Sequence, residues 1–261
     1  MFSLNPASTG FSGNNGLGAG EVLGSFTATD ADSTSWTFAI GGTNASLFSL
    51  SPSGSQSNVS IAAAGNIPAG SYTFTITATD PAGHSNSPET FHVVVGTSGV
   101  DNSAFFSVTT GTDIDFGFNG KDVITGGAGD DALVGGQNDD LITGGAGADQ
   151  LIGSQGNDTF IYTATSDSTA ASHDSIFDFE ETGNGDQIDL QLIDANLGQV
   201  NNQAFAFGGQ TTAVVNNSVT WFQDAAHNQT IVQADNNGDG IADVVIALTG
   251  LHTLTSSDFI L

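Results

Sequence analysis

One nine-residue pattern runs five times without a gap between residues 117 and 161, and it constrains the fold more than any other feature of the chain. Every copy starts with Gly, carries Asp at its sixth position and has a large apolar residue at its eighth. The copies are GFNGKDVIT, GGAGDDALV, GGQNDDLIT, GGAGADQLI and GSQGNDTFI. A flexible acidic linker has no reason to keep apolar residues at a period of nine, so the pattern predicts a regular coil.

The residue types within one copy predict a turn followed by a strand. The first six positions are mostly Gly, Asn and Asp, which tolerate positive φ and let the backbone turn its carbonyl oxygens inward. The last three positions form a short strand whose eighth residue points to the interior. Asn138 replaces a Gly, and Asn tolerates the left-handed conformation best after Gly. Phe118 and Ser154 replace the second Gly in the two outer copies.

Two copies complete one turn of a flattened coil, so each copy stacks on the next but one. Carbonyls and the position-6 carboxylates then line clefts of hard oxygen ligands, which suit Ca²⁺ better than Zn²⁺ or copper. Three clefts are predicted, between Asp122 and Asp140, Asp140 and Asp158, and Asp131 and Asp149. The candidate ligands are Gly117, Asn119, Asp122, Gly126, Ala128, Asp131, Gly135, Gln137, Asp140, Gly144, Ala146, Asp149, Gly153 and Asp158. The nonapeptide GGxGxDxUx is typical of calcium-binding parallel β-helix repeats.

A further turn precedes the repeats at VTTGTDIDF, residues 108–116. It keeps the register, with Gly111 and Asp113 in the expected places, so Asp113 is a further candidate ligand for Ca²⁺. Its eighth position is Asp115, where the core needs an apolar side chain. We therefore interpret this segment as a capping turn.

Composition predicts an all-β protein of two or three small domains. The chain has 261 residues, 38 % of them hydrophobic, with 35 Gly and no Cys, so disulfides and thiolate metal sites are excluded. The formal charge is −27, and Lys121 is the single basic residue. Such a surface repels nucleic acid and anionic membranes and attracts divalent cations. Without cations, self-repulsion opposes compaction of the acidic middle of the chain.

The N-terminal part predicts an antiparallel β-sandwich at 21–96 after a loose lead-in at 1–20. Its strands alternate apolar and polar residues, with turn sequences between them. The apolar faces are Trp36, Phe38 and Ile40; Tyr72, Phe74, Ile76 and Ala78; and Phe91, Val93 and Val95. Asp30 and Asp32 in TATDAD, Asp80 in TATD and Asp101 in GVDN resemble the strand ends of bacterial cadherin-like modules. That resemblance implies Ca²⁺ ligands, and ordinary turn chemistry is the alternative.

We predict a linker at 97–107 and the coil at 108–165, followed by a C-terminal region with a different sequence pattern at 166–261. DSIFDFEETGNGDQIDL and QAFAFGG resemble the region that follows the repeats in serralysin-type metalloproteases, which implies a β-rich cap that finishes the coil. Alternation of Ile176 with Asp178, and of Ile188 with Asp189, predicts edge strands that carry acids outward.

An oxygen-rich loop follows at ADNNGDGIAD. Asp235, Asn237, Asp239, the Ile241 carbonyl and Asp243 have the spacing of the first part of an EF-hand loop, but no Glu stands at the twelfth position. Serralysin-type tails carry a similar phrase. A Ca²⁺ site and an Asx-rich hairpin turn are the two alternatives.

The two ends of the chain are the segments in which an export signal is expected. The start lacks the basic and apolar regions of a secretory signal peptide, and no run reaches membrane-spanning length. The end, LTSSDFIL, resembles the uncleaved signal read by type I secretion systems, a route that the repeat proteins called RTX proteins commonly use. The same apolar residues also suit a last core strand, and both roles can hold.

No catalytic motif is present. The five His residues never have HExxH spacing, the GxSxG motif is absent, and there is no Cys nucleophile. We therefore expect a non-enzymatic, secreted RTX protein that binds Ca²⁺, is exported by type I secretion machinery and adheres to a surface glycan or protein. The alternatives are the secretion part of a larger protease or hydrolase, and a self-assembling structural surface protein.

Overall fold

A computed structural model of the protein describes residues 2–4, 17–29, 35–62, 67–102, 110–180 and 185–261. Apart from short 3₁₀ turns at Ala45–Leu47 and Ser256–Asp258, the regular structure in these ranges is β-strand. The all-β prediction is confirmed. Within the described residues, no helix has the length and apolar character that a membrane crossing needs.

The N-terminal strands form two antiparallel layers. They are β1 (Phe2–Leu4), β2 (Val22–Thr27), β3 (Thr37–Gly41), β4 (Phe48–Ser53), β5 (Gln56–Ile61), β6 (Gly70–Thr79) and β7 (Glu89–Val95). One layer has the order β1-β2-β5-β4, and in the other β6 pairs with both β3 and β7. The predicted apolar faces lie in or against the shared core, with Phe74 and Phe91 fully buried. Asp30 and Asp32 lie outside the described residues.

The repeats form a coil of parallel strands. These are β8 (Thr112–Asn119), β9 (Val123–Ala128), β10 (Ala132–Gln137), β11 (Leu141–Ala146), β12 (Gln150–Gln155) and β13 (Thr159–Ile161). β10 pairs with β8 and β12, and β11 pairs with β9 and β13, so each copy stacks on the next but one as predicted. The strands are longer than predicted, because the ladder continues through positions 1–3 of the following copy and only positions 4–6 form the turn.

The C-terminal strands extend both stacks. They are β14 (Asp174–Ile176), β15 (Gln187–Asp189), β16 (Ala206–Gln210), β17 (Ser218–Asp224), β18 (Gln229–Ala234), β19 (Val244–Thr249) and β20 (Phe259–Ile260). β14 lies between β12 and β19, and β15 lies between β13 and β20. The edge-strand prediction for these two segments is therefore wrong. Asp178 points inward, where its carboxylate accepts the N–H groups of Gly153 and Ser154 at 3.0 and 2.8 Å.

The coil shares a sheet with the N-terminal layers. β7 pairs in parallel with β8, from Phe91 opposite Thr112 to Val95 opposite Phe116. This long sheet has the order β16-β17-β18-β19-β14-β12-β10-β8-β7-β6-β3, and the short sheet has the order β20-β15-β13-β11-β9. Because β8 lies between β7 and β10, the interpretation of residues 108–116 as a capping turn is wrong.

The two faces of the long sheet bury different residues. Position-8 side chains such as Leu133 and Ile142 pack between the long and short sheets. On the other face, Ala132, Val134 and Ile152 pack against the N-terminal core. The coil strands of the long sheet are therefore covered on both sides, and apolar side chains at adjacent positions, such as Leu151 and Ile152, are buried on opposite faces.

Candidate metal centre

The position-6 aspartates stack in two columns. Turns after long-sheet strands carry Asp122, Asp140 and Asp158, and turns after short-sheet strands carry Asp131 and Asp149. In each column, the backbone N–H of one aspartate donates to Oδ1 of the aspartate in the next coil. The N···O distances are 2.8 Å for Asp122 to Asp140, 2.7 Å for Asp140 to Asp158 and 2.9 Å for Asp131 to Asp149. The three predicted pairs are therefore stacked neighbours.

The second carboxylate oxygens in these columns are buried without a donor. Oδ2 of Asp122, Asp131, Asp140 and Asp149 receives no hydrogen bond from the part of the chain that the structure describes. A buried, charged acceptor without a partner is costly, and such groups are normally paired or bound to a metal. Each column thus holds oxygens that need a positive partner.

The position-1 glycines leave the space in which these oxygens converge. A Cβ on Gly126 would lie 2.3 Å from Asp131 Oδ2 and 2.8 Å from the Gly144 carbonyl oxygen. For Gly135 the corresponding distances are 2.4 Å to Asp140 Oδ2 and 2.8 Å to the carbonyl oxygen of Gly153. Carboxylate and carbonyl oxygens are the ligands that Ca²⁺ takes in proteins, so the residues present fit that ion.

The carbonyl oxygens at position 3 of the repeats already accept backbone hydrogen bonds. Those of Ala128, Gln137 and Ala146 accept backbone N–H groups from the preceding coil at 2.8, 3.2 and 2.9 Å. The Ala128 and Ala146 carbonyls keep a second lone pair for a cation, whereas the Gln137 carbonyl also accepts Asn138 Nδ2–H. Asn119 ends β8 opposite Gln137.

No group of three or more His, Cys, Asp or Glu side chains comes together as a metal site in the described ranges. The clefts differ from such clusters because each combines carboxylates with backbone carbonyls. This mixture is the ordinary composition of a Ca²⁺ site.

Burial raises the pKa of every cleft carboxyl. The pKa is raised to about 6 in Asp122, to about 7 in Asp131, Asp149 and Asp158, and to about 8 in Asp140. Desolvation is the main cause, the backbone N–H bond opposes it, and neighbouring carboxylates raise the pKa further. A proton therefore competes for these oxygens near neutral pH, and a cation that binds there must displace it.

Positive φ occurs where the coil bends. Asn138 has φ 77°, which confirms its left-handed role. Phe118 and Ser154 both have φ 76° at position 2, a conformation that is strained for residues with side chains. Both pair with Gly136 in the ladder, and a Cβ on Gly136 would lie only 2.2 Å from the Phe118 carbonyl oxygen, so this position requires glycine.

The columns extend beyond the repeats through Asp174 and Asp186, which the sequence analysis missed, and through Asp101, which it named only for its resemblance to cadherin-like strand ends. Asp101 N–H donates to Asp122 Oδ1 at 2.7 Å, and the N–H groups of Asp149 and Asp158 donate to Oδ1 of Asp174 and Asp186, both at 2.9 Å. The sequence separations are 21, 25 and 28 residues in place of 18, which hides them from a search at fixed period. One signal was available, because Asp174 and Asp186 each precede a buried Ile by two residues, as in the repeats.

Asp113 and Asp115 lie at the start of the second column. Asp113 N–H donates to Asp131 Oδ1 at 2.9 Å, so Asp113 is stacked as predicted. Asp115 lies fully buried between Val94 and Leu133 in the long sheet, where the Val94 backbone approaches its carboxyl. Desolvation, and then the charges of Asp113 and Asp131, raise the pKa of Asp115 well above its ordinary value. Its protonated form suits this apolar position.

The other candidate ligands have donors of their own. Asp235 accepts N–H groups from Asn237, Gly238 and Gly240, and Asp243 accepts from Asn237 Nδ2 and from the N–H of Asn236. Asp239 accepts the Ile241 N–H. These bonds form an Asx-rich turn, and the ligand role of this loop stays a prediction.

Asp80, the strand-end acid of the N-terminal layers, also has its own donors. Its carboxylate accepts the His84 N–H at 2.7 Å and lies 3.0 Å from His84 Nδ1. These contacts are those of a turn, the second of the two alternatives for this residue.

Gly135→Ala is expected to lower both the Ca²⁺ affinity and the melting temperature. The added methyl group would overlap Asp140 Oδ2 and the Gly153 carbonyl, and overpacking of this kind costs about 1–3 kcal/mol. Thermal unfolding in excess Ca²⁺ measures the effect. Gly18→Ala is the control, since its nearest contact would be 3.7 Å from Glu21 Oε2. Equal melting temperatures for Gly135→Ala and the unmodified chain would contradict the steric argument.

The fold and these columns define a class of protein, the parallel β-roll of RTX type. The chain belongs to the family described as Peptidase M10 serralysin C terminal, which matches residues 44–261. Domains of this family are calcium-binding and non-catalytic, and the repeating pattern of buried aspartates fits that property. None of the curated proteins compared with the chain matches it.

Two solved structures are similar to part of the chain. The AlgE6R2 subunit of an Azotobacter vinelandii mannuronan C5-epimerase is 26% identical, with a TM-score of 0.39 over 59% of this chain and 92% of that one. The AlgE6R3 subunit from the same organism is 23% identical, with a TM-score of 0.27 over 64% of this chain and 81% of that one.

Proposed function

We propose that the chain is a secreted or cell-surface protein whose coil binds Ca²⁺ outside the cell and becomes rigid by doing so. The observation that carries this proposal is the pair of columns in which buried carboxylate oxygens lack a donor among the described residues. Membership of a calcium-binding family supports it independently. The clefts are the places where carbonyl and carboxylate oxygens already converge.

The binding energy is large enough to control folding. Extracellular Ca²⁺ modules bind with Kd of about 10⁻⁴ to 10⁻³ M. At about 1 mM free ion, one site with Kd near 10⁻⁴ M contributes about 1.4 kcal/mol, and three sites contribute about 4 kcal/mol. That sum is comparable with the whole stability of a small domain. At the low Ca²⁺ concentration inside a cell this contribution vanishes.

The dependence of folding on Ca²⁺ also explains how the chain would be exported. A chain that stays unfolded at low Ca²⁺ can pass through type I secretion machinery and fold on the outside. Phe259 is buried, and β20 pairs with β15 in the short sheet. A signal formed by these last residues would therefore be read before folding, which agrees with export of the unfolded chain.

We assign adhesion to the N-terminal layers, β1 to β7. Their resemblance to cadherin-like modules supports this role, and their attachment to β8 couples them to the calcium-bound coil. The ligand would be a surface glycan or protein. Binding to a glycan array that is abolished by chelation would support adhesion, and calcium-triggered sedimentation would favour a self-assembling surface protein instead.

A second candidate follows from the family, which is described by the C-terminal region of a peptidase. In that case the chain is the calcium-binding and secretion part of a larger protease or hydrolase. Turnover of casein or of an ester, with zinc and calcium supplied, would favour this candidate. Inactivity of the 261-residue chain together with chelator-sensitive adhesion would favour the first.

Calorimetric titration of the full chain with Ca²⁺ is expected to show at least the three clefts predicted from the repeats. Proton release should accompany binding at neutral pH, because the ion displaces protons from carboxyls whose pKa is raised to about 7 or 8. Repeating the titration in buffers of different ionisation enthalpy measures that release. Mg²⁺ is the control, since it demands a tighter octahedral geometry and should bind more weakly. Absence of Ca²⁺ binding at millimolar concentration would refute the proposal.

A further inference from the structure

The long sheet ends at β3 (Thr37–Gly41), and no other strand of the described residues lies on its far side. β3 pairs with β6 along its whole length without a bulge, from Thr37 opposite Thr79 to Gly41 opposite Thr75. An edge strand of this kind presents backbone N–H and C=O groups that can pair with a further strand. We call this free side of β3 the β3 edge.

The backbone groups of Phe38 and Ile40 face the β3 edge. Ala78, the residue opposite Phe38, bonds to Asn86 on the other side of β6. Its N–H donates to Asn86 Oδ1 at 2.6 Å, and its carbonyl accepts the Asn86 N–H at 3.1 Å. Phe38 and Ala78 therefore share no hydrogen bond, so the N–H and C=O of Phe38 point away from β6. This orientation alternates along a strand, which gives Ile40 the same direction.

The other strands at the ends of sheets carry features that hinder pairing. β1 and β20 have three and two residues. β4 contains Pro52, and β16 has a register shift between Phe207 and Gly209. β9 is partly covered, because the Val123 N–H donates to the Asp101 carbonyl at 2.9 Å. Short strands, proline and bulges are the usual protection of sheet edges, and among the described edge strands only β3 has none of these features.

Charge does not protect the β3 edge either. No residue between 33 and 79 is charged, and this range includes both β3 and β6. Of the 28 acidic residues, 23 follow residue 100. The coil begins at β8, which is three strands, or about 14 Å, away from β3. That distance exceeds the Debye length of about 8 Å at physiological salt, so repulsion between two acidic coils is screened at this edge.

The side chains of β3 also leave the edge open. Phe38 and Ile40 pack against the N-terminal core but are only half-buried, and the Phe38 ring meets Phe26 edge-on at 6.0 Å. Thr37 and Ala39 lie on the opposite face and are exposed. A strand added at the β3 edge would cover the open sides of Phe38 and Ile40 and so extend the core.

We propose that two copies of the chain pair antiparallel through their β3 edges and form a closed dimer. All five residues of both strands overlap only when the twofold axis passes by Ala39, the central residue of β3. Phe38 of each copy then lies opposite Ile40 of the other, and these are the residues whose backbone groups face the edge. The same register places core-facing side chains beside core-facing side chains.

A second copy fits this edge better than a charged segment of another protein. β3 and β6 offer no charge that would attract such a segment, whereas a second β3 repeats the same alternation of core-facing and exposed side chains. The pairing uses the same edge of both copies, so assembly stops at two. The inference goes beyond the proposed function, because the interface contains none of the cation clefts.

Disulfide trapping of the full chain in Ca²⁺ tests the register. The chain has no Cys, so Ala39→Cys introduces a single thiol. At the twofold axis the two Ala39 positions form a pair without mutual hydrogen bonds, whose Cα atoms lie about 4.5 Å apart, within the reach of a disulfide. Oxidised glutathione should therefore give a covalent dimer that a reducing agent reverses.

Thr90→Cys is the matched control for this trapping. Thr90 is exposed on the same face of the sheet as Ala39, but it lies in β7, two strands from β3. The Thr90→Cys chain should stay monomeric under the same oxidation. No dimer from Ala39→Cys, or equal amounts from the two variants, would overturn the inference.

Sedimentation equilibrium measures the association without a cross-link. A five-residue edge makes a small interface, so we expect a reversible dimer at chain concentrations of about 10⁻⁵ to 10⁻³ M. Ala39→Asp places two like charges opposite each other and should weaken the association about fivefold. Ala39→Lys should do the same, and an equimolar mixture of the two variants should restore the dimer. Mixing repairs no folding defect, so this recovery is specific to pairing at Ala39.

The alternatives give different results in the same sedimentation experiment. Polymers larger than two copies, or association that is lost when NaCl is raised, would contradict the closed dimer and indicate ion bridging between acidic surfaces. A chain that stays monomeric at all these concentrations but binds Ca²⁺ would refute the dimer and leave the proposed function intact.

Discussion

Removal of Ca²⁺ by a chelator is expected to unfold the coil at about pH 8 and to leave it folded at about pH 5.5. Folding raises the pKa of Asp131, Asp149 and Asp158 to about 7 and of Asp140 to about 8. Between the ordinary pKa of Asp and these values, the folded state binds more protons than the unfolded state. The metal-free coil is therefore most stable in acid and loses stability as the pH rises from about 4 to about 8. Far-UV circular dichroism of the chelated chain at both pH values measures this.

The same experiment with Ca²⁺ supplies the control. The ion replaces the proton as the positive partner of the carboxylates, so neither the calcium-loaded coil nor the unfolded chain binds protons at these groups, and the stability of the loaded coil should stay nearly constant as the pH rises from about 5.5 to 8. Repulsion within a chain of net charge −27 also lowers the stability of the metal-free coil as the pH rises, in the same direction as the raised pKa values. A chelated chain that melts at a higher temperature at pH 8 than at pH 5.5 would show that the buried aspartates are not the controlling groups.

Asp140→Ala is the substitution with the largest expected effect. Asp140 belongs to two predicted clefts, and its Oδ1 is the acceptor for the buried N–H of Asp122. Loss of two sites of moderate affinity removes about 3 kcal/mol at millimolar Ca²⁺. The Asp122 N–H would lose its acceptor, which lowers the free energy of unfolding by a further amount of about 1–3 kcal/mol. Calorimetry should count two fewer ions, and thermal unfolding in Ca²⁺ should show a large drop in melting temperature.

Asp139→Ala provides a matched control for this substitution. Asp139 is the adjacent residue with the same side chain, but it is only half-buried, pairs with Lys121 across the coil and accepts the Asn157 N–H at 3.2 Å. Its removal should leave the number of bound ions unchanged and affect the melting temperature much less. Equal losses for the two variants would mean that general surface charge, and not the buried column, holds the ion.

Most of the coil was predictable from local chemistry. The period of nine placed Ile124, Leu133 and Ile142 in one core, and it paired Asp122 with Asp140 before any coordinates were known. Such a prediction works because each copy interacts mainly with its neighbours, so the local pattern contains nearly all the information that the stack needs. Asn138 follows the same logic, since the local turn requires positive φ.

The ends of the columns were not predictable in this way. Asp101, Asp174 and Asp186 occupy the same stacked position as the repeat aspartates, but insertions in the turns change their sequence separation. A loop on the surface can lengthen without disturbing the ladder on either side of it. Stacked residues therefore keep their positions in the structure even when the number of residues between them changes. Asp178 was assigned to a solvent-facing edge for a related reason, because alternation does not reveal that another strand will cover it.

By itself, the sequence determined that this chain forms a coil of the kind found in calcium-binding repeat proteins. Glycine and aspartate at fixed spacing set the turns, and the apolar residue at position 8 of each copy is buried only if the copies stack in two columns. The tertiary structure alone decided that β7 joins β8, so that the N-terminal layers and the coil share a sheet. It also decided that Asp174, and not Asp167, continues the column after Asp149. Both outcomes depend on contacts between segments of unrelated pattern, and the free energy of such contacts is not encoded in the periodicity of either segment.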